Sequence, residues 1–224
     1  MNNPTEIIVS IKELLSQGNR AKARELNDTF WSQGDEIPEE QLYTYIDCLI
    51  NLGEIERAGL LLEDKIQNVS EETVKYISLI IKYCFLSDKL MSLKFLSGYS
   101  NVYIQSPAIF DWVNKQSSQN NFNQCSYMIN TAMEQIKPAL CYIELTYDSG
   151  TIDCAFTTNL SFEENENITQ MIVDKITNYI TSTNQELIQN FTIGIESIFD
   201  DELQSRSNYS SPSIIRIPCL NISR

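Results

Sequence analysis

The sequence feature that most constrains the fold is a helix–turn–helix pattern that recurs every 35 residues. Within Leu42–Gln67, apolar residues recur at helical spacing on both sides of Gly53, as expected of two amphipathic helices that fold back on each other. A shift of 35 residues in either direction reaches Gly18 and Asp88, and a further shift reaches Asn123. Glycine, aspartate and asparagine all suit a turn that ends a helix. The N-terminal part is therefore expected to contain paired helices, with turns at these four positions.

The apolar positions before the first three turns repeat, whereas those before the fourth turn are mostly polar. Loss of apolar residues is typical of the last unit of a solenoid, whose outer face meets water or another domain. Ser97–Pro107 interrupts the pattern with an aromatic cluster that includes Tyr99 and Tyr103, which we interpret as a binding loop. Trp112 is expected to seal the last unit.

The pattern becomes strand-like after residue 137. Apolar and polar residues alternate from Cys141 to Phe156 around a glycine turn, which indicates a β-hairpin. Ser161 and Glu164 have the spacing of a capping box, which predicts the start of a helix. Two further alternating segments follow this helix.

The expected fold class is α+β, with two domains. Residues 1–137 are predicted to form a helical-hairpin-repeat solenoid. Residues 138–224 are predicted to form a small ββαββ antiparallel sheet domain, in which one helix covers one face and the other face is solvated or docks on the repeats.

Residues 5–136 resemble the tetratricopeptide-type repeats, helix–turn–helix units that stack into a superhelix. The resemblance rests on an alanine five residues after the turn glycine, which occurs at Gly18 and Ala23 and again at Gly53 and Ala58. It implies a concave groove that binds a peptide or a protein segment. Tyrosines of the first helices are candidate contacts in that groove, with burial in the core as the alternative: Tyr43, Tyr45, Tyr76 and Tyr83.

The period is also similar to that of pentatricopeptide repeats, which read RNA bases. RNA binding needs basic side chains along the phosphate path, but the chain has 16 basic and 30 acidic residues and a net charge of −14. A field of this sign repels phosphate backbones and anionic lipid and favours basic partners. We therefore expect neither a nucleic-acid nor a membrane partner.

The acidity is concentrated towards the C-terminus. Residues 138–224 hold twelve acidic and four basic residues. Asp200, Asp201 and Glu202 lie in a polar, serine-rich loop and are candidate contacts for a basic partner, with a solvated turn as the alternative.

The motifs of common enzymes are missing. The chain has no histidine, which removes the commonest general base and most zinc sites. Phosphate-binding glycine loops and nucleophile motifs are also absent from the sequence. We expect no catalysis, no cofactor and no metal. Two alternatives remain open: a metal-dependent enzyme that uses Glu144 and Asp153, and a sensor whose sheet binds a small ligand.

Cysteine usage favours a reducing compartment. The six cysteines lie far apart within apolar runs, without a C-x-x-C pair, so we interpret them as reduced core residues. No apolar run reaches the length of a membrane span, and the first residues do not have the pattern of a secretion signal. A cytosolic location is expected. The sequence therefore predicts a non-catalytic protein-binding scaffold, of which a bacterial secretion chaperone or a toxin-neutralising immunity protein is an example.

Overall fold

The computed structural model describes residues 3–116, 118–136 and 140–197, together with the backbone of the strand at 214–218. The N-terminal half is helical. Its helices are α1 (Pro4–Ser16), α2 (Arg20–Gln33), α3 (Glu39–Leu52), α4 (Ile55–Gln67), α5 (Thr73–Leu86), α6 (Leu90–Leu96), α7 (Ser100–Tyr103), α8 (Pro107–Lys115) and α9 (Gln119–Ile136).

Local sequence explains where the first helices begin and end. The Asn3 side chain accepts a hydrogen bond from the Thr5 backbone N–H, and Pro4 occupies the first turn of α1, where a missing N–H costs nothing. Gly18 and Gly53 follow α1 and α3 with φ angles of 74° and 76°, a left-handed conformation that favours glycine. These two turns lie where the sequence predicts them.

The prediction of a fourth turn at Asn123 is wrong, because this residue lies inside α9. The four side chains Phe122, Cys125, Ile129 and Ala132 are buried at helical spacing through this region. Their continuous apolar stripe holds the chain helical across the position of the predicted turn.

Alternate helices of this half pack against one another: α3 lies against both α1 and α5, and α5 also contacts α9. Two polar contacts between α3 and α5 join residues 35 positions apart. The Tyr43 and Ser78 hydroxyls are 3.1 Å apart, and the Lys82 ammonium donates to the Asp47 carboxylate at 3.1 Å. Because both contacts have the same sequence offset, α3 and α5 lie side by side with residues 35 positions apart facing each other.

The C-terminal half contains β1 (Leu140–Asp148), β2 (Thr151–Thr158), α10 (Phe162–Thr183), β3 (Phe191–Ser197) and β4 (Ile214–Pro218). Ser149 and Gly150 have φ angles of 50° and 94°, as in the tight turns that suit β-hairpins. The capping box at the start of α10 is confirmed: Ser161 and Glu164 bond to each other's backbone N–H. The described chain is therefore α+β.

The sheet is mixed rather than antiparallel, which corrects the sequence-based expectation. The described strands are ordered β3-β2-β1-β4, and β1 pairs antiparallel with both β2 and β4. β2 pairs with β3 in parallel register. The physical reason is the connection through α10, since a helix that crosses the sheet returns the chain in the same direction.

One face of the sheet is apolar. Ile143, Leu145, Ile152, Cys154 and Phe156 are buried on it. Strand β3 contacts α10, and α8 and α9 pack against β2, so helices of both halves cover the sheet. The helices and the sheet thus share one continuous hydrophobic core.

Trp112 of α8 lies at the junction of the two halves and is fully buried. Its ring centroid is 6.2 Å from that of Phe85, 6.3 Å from that of Phe122 and 6.0 Å from that of Phe191. Its indole N–H donates to the Asn190 carbonyl at 2.7 Å. One side chain therefore ties the helical half to the start of β3. None of the described helices combines the length and apolar character needed to cross a bilayer.

Candidate functional site

A groove of about 600 Å³ lies where the helical half meets α10. The N-terminal end of α6 forms one side, α10 forms the other, and one face of α9 forms the floor. The groove combines residues of both halves in one concave surface, and we take it as the candidate site.

The floor of the groove is polar although the opposite face of α9 is buried in the core. Asn123, Ser126, Asn130 and Thr131 face the groove with two amides and two hydroxyls. The Asn130 amide donates to the Asp88 carboxylate at 3.3 Å, which connects the floor to the turn before α6. Each carboxamide has both a donor and an acceptor, so the floor offers both kinds of hydrogen bond to a ligand.

Two stacked tyrosines join α9 to α10 at the side of the groove. The rings of Tyr127 and Tyr179 are nearly parallel, with an interplanar angle of 12° and centroids 3.9 Å apart. The Tyr127 hydroxyl donates to the Lys175 carbonyl at 3.5 Å. Both tyrosines are half-buried, so this contact fixes the position of α10 and also presents a flat aromatic edge to the groove.

Charge in the groove is mixed. Asp88 lies at one end and Glu134 lies along α9, whereas Lys175 of α10 is a basic lining residue. Among the described residues, no group of three or more histidine, cysteine, aspartate or glutamate side chains has a geometry that would hold a metal ion. The groove therefore offers hydrogen bonds, aromatic surface and charge, which suit binding.

The buried polar residue Gln124 holds the segment that leads from α10 to β3. Its amide donates to the Gln185 side chain at 3.0 Å and to the Glu186 carbonyl at 2.8 Å, and its oxygen accepts from the Ile188 N–H at 3.0 Å. These bonds satisfy the buried amide at both its donor and its acceptor. They anchor the end of α10 against α9, and with it one side of the groove.

Three of the tyrosines proposed as partner contacts are buried in the helical core. Tyr45 has no exposed surface and donates to the Asn27 side chain at 2.9 Å, and Tyr76 and Tyr83 are 4% and 5% exposed. Burial raises the pKa of all three hydroxyls. The Tyr83 ring also packs against Gly59 of α4.

The other three proposed tyrosines reach the surface at separate places, and none lines the groove. Tyr43 of α3 is exposed beside Tyr76. Tyr99 is exposed and contacts Phe95 edge-on, with ring centroids 5.4 Å apart. Tyr103 donates to the Asp111 carboxylate at 2.6 Å, and this hydrogen bond raises its pKa.

The acidic candidates Asp200, Asp201 and Glu202 lie outside the described residues. Glu144 and Asp153, the carboxylates of the alternative enzyme hypothesis, lie on adjacent strands on the polar face of the sheet. Asp153 is exposed and accepts a hydrogen bond from the Thr192 hydroxyl. This bond links β2 to β3.

Sequence reasoning missed Tyr127, Tyr179 and the polar floor. The signal was present: Gln119, Asn123 and Asn130 recur at helical spacing on one side of α9. The predicted turn at Asn123 divided this helix and concealed the periodicity. Only the packing of α10 on α9 brings Tyr179 to Tyr127.

The fold and the groove together define an α+β protein with a polar, aromatic-edged groove between helices of its two halves. Comparison with protein-family models, with curated proteins and with solved structures finds no match to this chain.

Proposed function

We propose that this chain is a non-catalytic binding protein that holds a peptide segment of a partner protein in the groove between α6, α9 and α10. The polar floor on α9 carries the proposal, because carboxamides and hydroxyls pair with the N–H and C=O groups of a peptide. No hydrogen bond within the described part of the chain occupies the hydroxyls of Ser126 and Thr131. Both are therefore available to a bound backbone.

The proposed partner segment is basic. The net charge of −14 attracts a cationic chain over long distances and speeds its encounter. Within the groove, Asp88 and Glu134 supply carboxylates, and the stacked pair of Tyr127 and Tyr179 supplies an aromatic edge. Arginine combines a charge that pairs with carboxylates and a flat guanidinium that stacks on aromatic rings. A cytosolic chaperone for a secreted protein, or an immunity protein that neutralises a basic toxin, would use such a site.

We also propose that α1 to α6 are three copies of one helical-hairpin unit. Gly18 and Gly53 end their helices with nearly equal φ angles, 35 residues apart. The α3–α5 contacts of Tyr43 with Ser78 and of Asp47 with Lys82 have the same offset. Stacked units would give the groove a rigid support, so that binding costs little ordering entropy.

The experiment is site-specific photo-crosslinking in the native host. A photoreactive phenylalanine analogue replaces Asn123, which is exposed on the groove floor. The matched control carries the same analogue at Val173 of α10, which is 47% exposed and does not line the groove. We expect a discrete cross-linked protein from position 123 that is absent from position 173.

A second arm tests the groove itself. The Asn130→Arg substitution places a cation beside the Asp88 carboxylate, which would compete with a basic partner for this end of the groove. We expect weaker cross-linking from position 123 and an unchanged melting temperature. The proposal fails if positions 123 and 173 give the same products, or if the product from position 123 is insensitive to Asn130→Arg.

One observation favours a second candidate, a small-ligand sensor. The groove volume of about 600 Å³ lies within the range of small-molecule pockets. Such a ligand would raise the melting temperature of the purified chain without any protein partner. A melting shift produced by a host metabolite extract, lost in Asn130→Arg, would favour the sensor over the peptide-binding protein.

A further inference from the structure

Strand β3 lies at one edge of the sheet. Its inner side pairs with β2, and none of the other described strands pairs with its outer side. An unpaired edge is a template for another strand, and proteins usually protect such edges with proline, charged side chains or a bulge. The β3 sequence FTIGIES contains no proline and one charged residue, Glu196 near its end, and its register with β2 is continuous.

The register with β2 determines which backbone groups point outwards. The Ile152 N–H donates to the Asn190 carbonyl at 3.1 Å, and Ile152 is level with Phe191. In a parallel pair, alternate residues direct both of their backbone groups to the same neighbour. The backbone groups of residues 192, 194 and 196 therefore face β2. Those of Ile193 and Ile195 point to the outer edge.

The sequence of β3 is complementary to itself in antiparallel orientation. When Gly194 is placed opposite Gly194 of a second copy, Ile193 lies opposite Ile195 and Thr192 lies opposite Glu196. Ile193 and Ile195 then form hydrogen-bonded pairs, because both direct their backbone groups outwards. No two carboxylates lie directly across from each other in this register, so local charge repulsion is avoided.

Gly194 has no evident role within a single chain. A Cβ added at this position would meet no atom within 4 Å, and the residue does not have a left-handed φ. Glycine weakens a strand interior and often marks a place where another backbone approaches closely. In the self-paired register, Gly194 forms the narrow pair, in which the two Cα atoms are only about 4.5 Å apart.

The side chains next to Gly194 also favour an added strand. Ile193 and Ile195 pack against the hydrophobic core but are only partly buried, because the core ends at this edge. A strand added beside β3 would cover the apolar surface that they leave exposed.

We propose that a second copy of this chain pairs with the outer edge of β3, antiparallel and about a two-fold axis through Gly194. The sheets of the two copies join into one continuous sheet, and the two α9–α10 grooves belong to one symmetric dimer. This pairing is independent of what the groove binds.

The test measures the mass of the full chain over a micromolar concentration series by light scattering. We expect twice the chain mass of 25.7 kDa at high concentration. Raising the salt concentration should strengthen the dimer, because it screens the repulsion between two chains of net charge −14.

Two substitutions at one position separate the proposed interface from others. Gly194→Lys places two ammonium groups directly opposite each other and should raise the dimer dissociation constant about fivefold or more. Gly194→Ala is the matched control, since it adds a side chain without a charge and should leave the dimer intact. Both have room in the single chain, and circular dichroism verifies that they fold.

Hydrogen exchange on the unmodified chain gives a readout without a mutation. The Ile193 and Ile195 amides should exchange more slowly at high than at low protein concentration. A chain that stays monomeric throughout the series overturns the proposal. A dimer that leaves exchange in residues 191–197 unchanged overturns it too, because the interface must then lie elsewhere. Protection of these amides only when another protein is added would assign the edge to a foreign strand and also overturn it.

Discussion

A tight contact between α4 and α5 gives a test of the helix packing. Gly59 of α4 lies against the Tyr83 ring of α5. A Cβ added at Gly59 would lie 2.7 Å from the Tyr83 hydroxyl oxygen, 2.9 Å from Cε2 and 3.0 Å from Cζ. Real Cβ atoms do not approach other atoms this closely, so Gly59→Ala requires the ring or the helix to move. Tyr83 is 5% exposed and has little room for such movement.

The expected cost follows from two opposing terms. Overpacking a core by one methyl group costs about 1–3 kcal/mol. Replacing glycine by alanine in a helix interior stabilises the folded chain by about 0.5–1 kcal/mol, because alanine has the higher helix propensity. Gly59→Ala should therefore lower the free energy of unfolding by roughly 0.5–2 kcal/mol, which lowers the melting temperature by several degrees.

Urea and thermal unfolding followed by circular dichroism measure this cost. The matched control is Leu60→Ala, at the next position of the same helix, where the side chain is 68% exposed and the change should stay within about 0.5 kcal/mol. In a Tyr83→Phe background the nearest clashing atom is gone, so the cost of Gly59→Ala should shrink by about 1 kcal/mol. A Gly59→Ala variant more stable than the parent chain would refute the packing of α4 on α5.

Three further predictions test the junction, the α10 cap and the cysteines. Trp112→Phe removes the hydrogen bond to the Asn190 carbonyl and also removes ring volume from a fully buried site. It should therefore lower the free energy of unfolding by about 2–4 kcal/mol, as measured by chemical denaturation. Hydrogen bonds from the Ser161 hydroxyl and backbone lower the pKa of Glu164 in the folded chain. Glu164→Ala should therefore lower the melting temperature, and this drop should be largest at a pH above the ordinary glutamate pKa. The drop should disappear as the pH falls through the lowered pKa of the folded chain. If the drop stays constant down to strongly acidic pH, the cap contact is not ionic. Mass spectrometry after brief alkylation of the folded chain should find the buried thiols unmodified until denaturant is added: Cys48, Cys84, Cys125 and Cys154.

Burial explains the expected protection of these thiols. Desolvation raises the pKa of Cys48 to about 12, and it raises the pKa of Cys84 and Cys125 further still. The thiolate, which is the reactive form, is therefore almost absent at neutral pH. Rapid labelling of any of these three positions in the folded chain would contradict their placement in the core.

Much of the local structure could be predicted from short stretches of sequence. Gly18, Gly53 and the Ser161–Glu164 capping box set the ends of their elements through contacts within a few residues. The Ser149–Gly150 turn likewise determines the hairpin. At Asn123 the local prediction of a turn fails. Asparagine suits a turn, but the buried apolar stripe around it keeps α9 continuous.

The candidate site could not be predicted in the same way. The six candidate tyrosines lie in the first helices or in the segment Ser97–Pro107, but local sequence does not decide which side of a helix faces the core. Tyr45 is buried against Asn27, while Tyr127 reaches the surface of the groove. Tyr45 is buried because α2 packs on α3, whereas Tyr127 lines the groove because α10 packs on α9.

The sequence by itself determined the α+β class, the positions of the first helical turns, the hairpin and the acidic character, because each depends on neighbouring residues or on composition. Only the tertiary structure decided that β3 runs parallel to β2, that Trp112 joins the two halves, and that α6, α9 and α10 enclose a polar groove. These features depend on which apolar surfaces, distant in the chain, pack against each other. That choice depends on close packing of side chains in three dimensions, which no local sequence pattern encodes.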